Sequence, residues 1–174
     1  MNKALSVCLR TDIKPKDIHN IIEWLNNENV VRYLNESPAA CDGLLYLIDS
    51  VPSHMLTFHL NQRGHFFLVC RSQDSESVGF IKFENLPGNC YEVVYVIGEE
   101  KLWGKGLGKA ALKKALELAF FDKRVKAVYA KVHKKNSRSV RTALSCGMRL
   151  SKAGDKATVF GVTFDEYIKK AVNE

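Results

Sequence analysis

The apolar residues of this chain recur with two different periods, and the switches between them divide it into elements. Ile18, Ile21, Ile22 and Leu25 follow the i, i+3, i+4, i+7 rule, and Pro15 suits a first helical turn, so residues 15–27 are predicted to form an amphipathic helix. Leu44, Leu45, Leu47, Ile48 and Val51 predict a second helix that starts near Ala40 and stops at Pro52. The stretch from Pro52 to Gln62 fits neither period. Three runs of β character follow, His65–Arg71, Ser77–Glu84 and Cys90–Gly98. They are joined by the polar link Ser72–Glu76 and the turn Leu86-Pro87-Gly88-Asn89, and links this short imply an antiparallel meander.

Helical periodicity returns from Leu107 to Phe121, where Leu112, Leu116 and Ala119 share a stripe among alanines and lysines. Val125–Val132 then alternates as a strand, so residues 90–132 form a strand–helix–strand unit long enough for a right-handed parallel crossover. Asn136 is placed to cap a further helix with Val140, Ala143 and Leu144 facing inward, and Gly147 suits its C-terminal stop. Strands near Met148–Ser151 and Ala157–Phe164 complete the pattern. The fold class is α/β: one domain over residues 1–174, with a mixed central sheet of about six to seven strands flanked by helices.

Composition narrows the function classes. A chain of 174 residues with 46% apolar content can fill one core, and its 26% charged residues are ordinary for a globular protein. No apolar run approaches the roughly 18 residues that span a bilayer, and the amino terminus lacks the basic and apolar pattern of a signal sequence. A cytoplasmic protein without a membrane partner is therefore expected. Cys8, Cys41, Cys70, Cys90 and Cys146 are odd in number and scattered, which suggests small buried thiols and no disulfide framework or metal site. The net charge of +7 fits nucleic acid, an anionic membrane surface or an anionic cofactor equally. Its densest runs are Lys101 to Lys109, Lys123 to Lys126 and Lys131 to Arg141.

Two of those runs flank the most specific feature, Leu102-Trp103-Gly104-Lys105-Gly106-Leu107-Gly108-Lys109. A glycine turn that opens a helix offers bare backbone N–H groups, backed by the positive end of the helix dipole, to an anion such as phosphate. A Walker loop requires two glycines five residues apart and a Ser or Thr after the lysine. Here Gly98 lies one residue too far from Gly104, and Gly106 follows Lys105. A dinucleotide fingerprint is G-x-G-x-x-G in the opening crossover of a domain, whereas this turn is G-x-G-x-G and follows a meander.

Trp103-Gly104-Lys105-Gly106-Leu107-Gly108 resembles the cofactor motif of the GNAT superfamily of acetyl-CoA-dependent N-acetyltransferases, Gln/Arg-x-x-Gly-x-Gly/Ala, with Trp103 in place of the Gln or Arg. The resemblance covers nearly the whole chain. Glu23-Trp24-Leu25-Asn26-Asn27 and Val31-Arg32-Tyr33-Leu34 look like the first-helix segment of the branch that holds ribosomal-protein N-terminal acetyltransferases and some aminoglycoside 6′-N-acetyltransferases. Asn136-Ser137-Arg138-Ser139, with Gly147-Met148 downstream, is similar to its N-x-x-S…G-F segment.

The resemblance implies acetyl-CoA as co-substrate, no metal, and direct transfer to an amine. It implies a bulge near Val96 and Ile97 that splays two strands so that the pantetheine arm inserts between them. It also implies that Trp103, Gly104, Lys105, Gly106, Leu107, Gly108 and Lys109 hold the pyrophosphate, with Asn136 and Ser139 adding contacts; helix capping is the competing role for Asn136. Glu92, on the strand face of Val94 and Val96, is the expected general base, and Tyr95, on the other face, is expected to pack. The tyrosine that many members use to protonate the thiolate would fall at position 143, which is Ala143. Cys146 and Ser145 lie close in sequence, but an inert thiol is expected.

The acceptor is left as a protein N-terminus or a small amine. The candidates for a polycation-binding cleft are Glu36, Asp42 and Asp49, which are few, and the basic composition argues against such a substrate. Residues between Tyr33 and Arg63 receive no role, and the expected assembly is a monomer or homodimer. Two rival readings are a noncatalytic acetyl-CoA sensor and a nucleic-acid-binding protein, the second without a recognisable recognition motif.

Overall fold

A computed structural model describes residues 6–34 and 40–173. Among these residues seven strands form one sheet: β1 Val7–Arg10, β2 Gly64–Arg71, β3 Ser77–Leu86, β4 Cys90–Ile97, β5 Ala127–His133, β6 Arg149–Ala153 and β7 Ala157–Thr163. Their spatial order is β1-β2-β3-β4-β5-β7-β6. β2, β3 and β4 form the expected antiparallel meander with β1 added antiparallel at the edge of β2, β4 and β5 are parallel, and β7 lies between β5 and β6. β1 has no counterpart among the predicted elements, because four residues are too few to display a period.

Helices cover both faces. On one side α1 (Pro15–Leu25), α2 (Glu28–Val31), α3 (Ala40–Ser50) and α4 (Leu56–Leu60) bury Ile18, Ile21, Trp24, Val30, Leu44 and Leu56 against Phe66, Leu68, Phe80 and Val96. On the other, α5 (Leu107–Glu117), α6 (Ser137–Ser145) and α7 (Phe164–Asn173) pack on Val69, Ile81, Phe83, Val93 and Val128. Pro15 occupies the first turn of α1 as expected, and the segment without a period, Pro52 to Gln62, is a short 3₁₀ turn followed by α4. α7, opened by Phe164, was not predicted.

Several boundaries and orientations differ from the sequence expectation. α5 is regular only to Glu117 and continues as a π-helical turn over Leu118–Asp122, which keeps Phe120 buried and leaves Phe121 exposed. Leu144, expected to face inward, is exposed, while Ala143 and Met148 are sealed in the core. The cysteines divide: Cys70 and Cys146 are buried, Cys8 is exposed, and Cys41 and Cys90 are half-buried.

The two layers are tied by one buried carboxylate. Asp17, 4% exposed, accepts from Arg10 Nη2 at 2.8 Å, from Ser77 Oγ at 3.3 Å and from the backbone N–H of Lys14 at 2.9 Å. It therefore joins β1, β3 and the start of α1, completing a capping box at residue N3 of that helix. Removing a buried charge partner strands the other groups, so Asp17→Ala is expected to cost about 3 kcal/mol in urea denaturation; a loss below about 1 kcal/mol would show the tie to be dispensable.

Candidate active site

The site begins where two strands stop pairing. β4 and β5 share only three rungs, Cys90–Ala127, Tyr91–Val128 and Glu92–Tyr129. Beyond them β4 stays in unbroken register with β3 as far as Gly79–Ile97, and β5 stays paired with β7 through His133. Val93–Ile97 therefore present an edge with no strand beside it on the β5 side. The expected bulge at Val96 and Ile97 is absent from the β3–β4 ladder; the splay begins at Val93 and comes from divergence of the parallel pair.

The open edge leads, through a 3₁₀ turn at Glu100–Leu102, into the glycine turn. Gly104 and Gly106 take φ of +76° and +85°, a left-handed conformation that disfavours side chains, and open space lies where their Cβ atoms would be. Gly106 is the N-cap of α5 and supplies no side chain to close it. The first helical bond runs from Ala110 N–H to the Gly106 carbonyl at 3.0 Å. Among the described residues, the N–H groups of Gly104 to Lys109 ahead of it meet no backbone carbonyl. Leu107 anchors the turn in the core, while Lys105 and Lys109 are exposed beside it.

Across the splay stands the start of α6. Asn136 Oδ1 caps the helix by accepting the Ser139 N–H at 3.2 Å, so capping is realised and the Asn136 amide nitrogen has no partner among the described residues. Tyr95 reaches from β4 to α6 and donates its hydroxyl to the Ser139 carbonyl at 3.1 Å. Burial pushes its phenol up to about 12, so it remains a donor at neutral pH. Tyr95 thus packs, as expected, and also bridges the gap where the strand ladder is missing.

A further bridge was not foreseen. Trp103 donates its indole N–H to the Ile97 carbonyl at 2.7 Å, fixing the ring at the end of β4. The Arg138 guanidinium lies over that ring, 3.8 Å from its centroid. A cation from α6 therefore stands at the position where the motif's Gln or Arg is replaced by Trp103; the signal in the sequence was the arginine two residues after Asn136. Trp103, Asn136 and Arg138 line a cavity of about 310 Å³ together with Arg32, Tyr33 and Glu100. Tyr33 stacks on His133 with centroids 5.1 Å apart, so the end of α2 lies against the open end of β5.

Glu92 lies at the apex of the splay, half-buried, on the α1 face with Val94 and Val96. It sits opposite Glu84 in the ladder and beside Tyr129. Lys82 pairs with Glu84 at 2.8 Å, while the Glu92 carboxylate has no ion pair or hydrogen bond among the described residues. Cys146 is buried, burial pushes its thiol up, and it points at the Lys109 carbonyl, as an inert thiol should. Asp42 and Asp49 are exposed on α3, and Glu36 lies outside the described residues.

Comparison with known proteins gives this mixed sheet, with its splayed parallel pair and glycine turn, a family. A family model described as acetyltransferase (GNAT) domain matches residues 7–149, and the chain belongs to that family. Solved structures share the fold. Spermidine N-acetyltransferase from Vibrio cholerae, in complex with CoA and spermine, aligns with a TM-score of 0.74 at 21% identity, over 94% of this chain and 98% of that one. Aminoglycoside acetyltransferase AAC(6')-Ib in complex with coenzyme A gives 0.75 at 17%, over 95% and 99%. A GNAT-family acetyltransferase from Bacillus anthracis gives 0.73 at 18%, over 94% and 98%.

The Tyr95 bridge yields a pH prediction. Because the folded phenol is held near 12 and an exposed one ionises near 10, its stabilisation is complete below about pH 10 and is lost as pH rises toward 12. Wild-type stability should fall more steeply across that window than that of Tyr95→Phe, followed by chemical denaturation at each pH. Parallel curves would refute the burial of the phenol.

Proposed function

We propose that this chain is an acetyl-CoA-dependent N-acetyltransferase that passes the acetyl group directly to a primary amine, a protein N-terminus or small amine, within a ternary complex. The observation that carries this reading is the continuity between the unpaired edge Val93–Ile97 and the left-handed glycine turn of Gly104 and Gly106. An extended amide-bearing arm needs such an edge, and a diphosphate at its end needs unpaired N–H groups. The residues present fit acetyl-CoA on both counts.

In this reading Val96 and Ile97 offer main-chain groups to the pantetheine, and Trp103 to Lys109 cradle the pyrophosphate. Lys105, Lys109 and Arg138 offset its charge. The Asn136 amide and the Ser139 hydroxyl reach the arm from the α6 side. Glu92 takes the proton of the incoming amine, whose nitrogen attacks the thioester carbonyl; the new C–N bond forms and the C–S bond breaks. With Ala143 buried where a phenol would stand, the thiolate departs unprotonated or takes its proton from water.

The cavity near the turn shares Trp103, Asn136 and Arg138 with the proposed cofactor site. Arg32, Lys135 and Arg138 line it, and the carboxylate of Glu100 is already engaged by Asn27 at 2.7 Å and by Asn29 at 3.2 Å. Those cations suit the charge of the cofactor's phosphates.

Acetyl-CoA at a hundredfold excess over its dissociation constant should stabilise the fold by about 3 kcal/mol, with ATP and NAD ineffective. Stabilisation by ATP or NAD alone would sink the proposal. On an amine panel read by thiol release, Glu92→Gln should lower kcat at least about 100-fold while the acetyl-CoA thermal shift stays intact. Arg138→Ala should weaken acetyl-CoA about tenfold with kcat preserved. Cofactor binding without turnover on any amine would instead make the chain an acetyl-CoA sensor.

A further inference from the structure

A cavity of about 690 Å³ lies at the other end of β5, beside Ala127, while the cofactor turn and Tyr33 lie toward His133. Its wall is aromatic. The π-helical turn at the end of α5 turns Phe121 outward, 53% exposed, and Phe164 at the start of α7 is 39% exposed. The two rings meet edge to face, with centroids 6.2 Å apart and planes at 82°, which forms a corner open to solvent.

Its rim is cationic and rigidly mounted. Arg124 and Lys126 line it, and neither forms an ion pair among the described residues. Arg124 holds a left-handed backbone, φ +54°, a strained state for a residue with a side chain. Asn89 Nδ2 fixes its carbonyl at 2.9 Å. The Lys126 N–H donates to the Asn89 carbonyl at 2.8 Å, and its carbonyl accepts from the Phe164 N–H at 2.9 Å. Exposed phenyl rings beside two unpaired cations match the make-up of an interface anchor, an apolar pocket with a charged rim.

We propose that this corner docks an acidic peptide segment of a partner protein, one aromatic side chain seated between Phe121 and Phe164 and neighbouring carboxylates paired with Arg124 and Lys126. Charge selects this occupant. A second copy of a chain carrying +7 would bring like charge to the rim. A nucleic acid strand needs an extended track of cations and stacking faces, whereas this is one concave corner with Asp165 on its edge. The volume suits one aromatic side chain and its flanking residues.

The probe is a fluorescent dodecapeptide of Glu and Asp with a central Trp, followed by anisotropy on the full chain. Binding should weaken at least tenfold when the Trp is replaced by Ser, and by a similar factor in Phe121→Ser and in Arg124→Gly. Arg124→Gly relieves the left-handed backbone, so lost binding with an unchanged or raised melting temperature separates docking from misfolding. The thermal shift given by acetyl-CoA should be the same in wild type and both variants. The proposal fails if the peptide does not bind, if binding ignores the Trp or the variants, if a single-stranded DNA dodecamer binds more tightly, or if sedimentation shows a dimer that Phe121→Ser dissolves.

Discussion

Every backbone N–H and carbonyl on a strand requires a partner, and β4 and β5 cease to supply one another after Glu92 and Tyr129. Both strands continue, each held by its outer neighbour, β3 or β7. The sheet is therefore intact as a scaffold and open along one seam. The apex of that seam carries Glu92, and its mouth carries the glycine turn, the start of α6 and the end of α2. A ladder one or two rungs longer would close the site; a shorter one would leave little to align the two halves.

Holding a seam open requires struts that do not fill it. Tyr95 to the Ser139 carbonyl and Trp103 beneath Arg138 both cross from the β4 side to α6. The first is buried with a phenol that stays protonated, so it contributes geometry without charge. The second brings a cation to the turn while its indole is fixed to Ile97. The Asp17 cluster does comparable work at a distance, locking β1 and β3 to α1, the helix whose layer covers the Glu92 face of β4.

Much of the fold was legible because its elements carry their own signals. The helix of Ile18 and Ile21, the meander with its Pro-Gly turn, the crossover length and the Gly104–Gly108 turn each rest on local spacing. The failures share a cause. Leu144 reads as one more apolar position on a helix stripe, yet it lies about 100° round the helix from Ala143, which takes the core side, and so faces water. The π-helical turn at Leu118 is one residue's worth of register, invisible to a period of 3.6. The splay was expected from family resemblance as a bulge, and the β3–β4 ladder has none.

The sequence by itself determined the meander, the parallel crossover, the glycine turn and the strand face that Glu92 shares with Val94 and Val96, because each depends on neighbours within a few residues. Tertiary structure decided what depends on distant parts of the chain. Three rungs between β4 and β5 set where the seam opens, and α6 brings Arg138 to Trp103 from 35 positions away. Tyr33 comes to rest on His133 across 100 positions. Periodicity tells which face a side chain takes; only the packed sheet tells which faces meet.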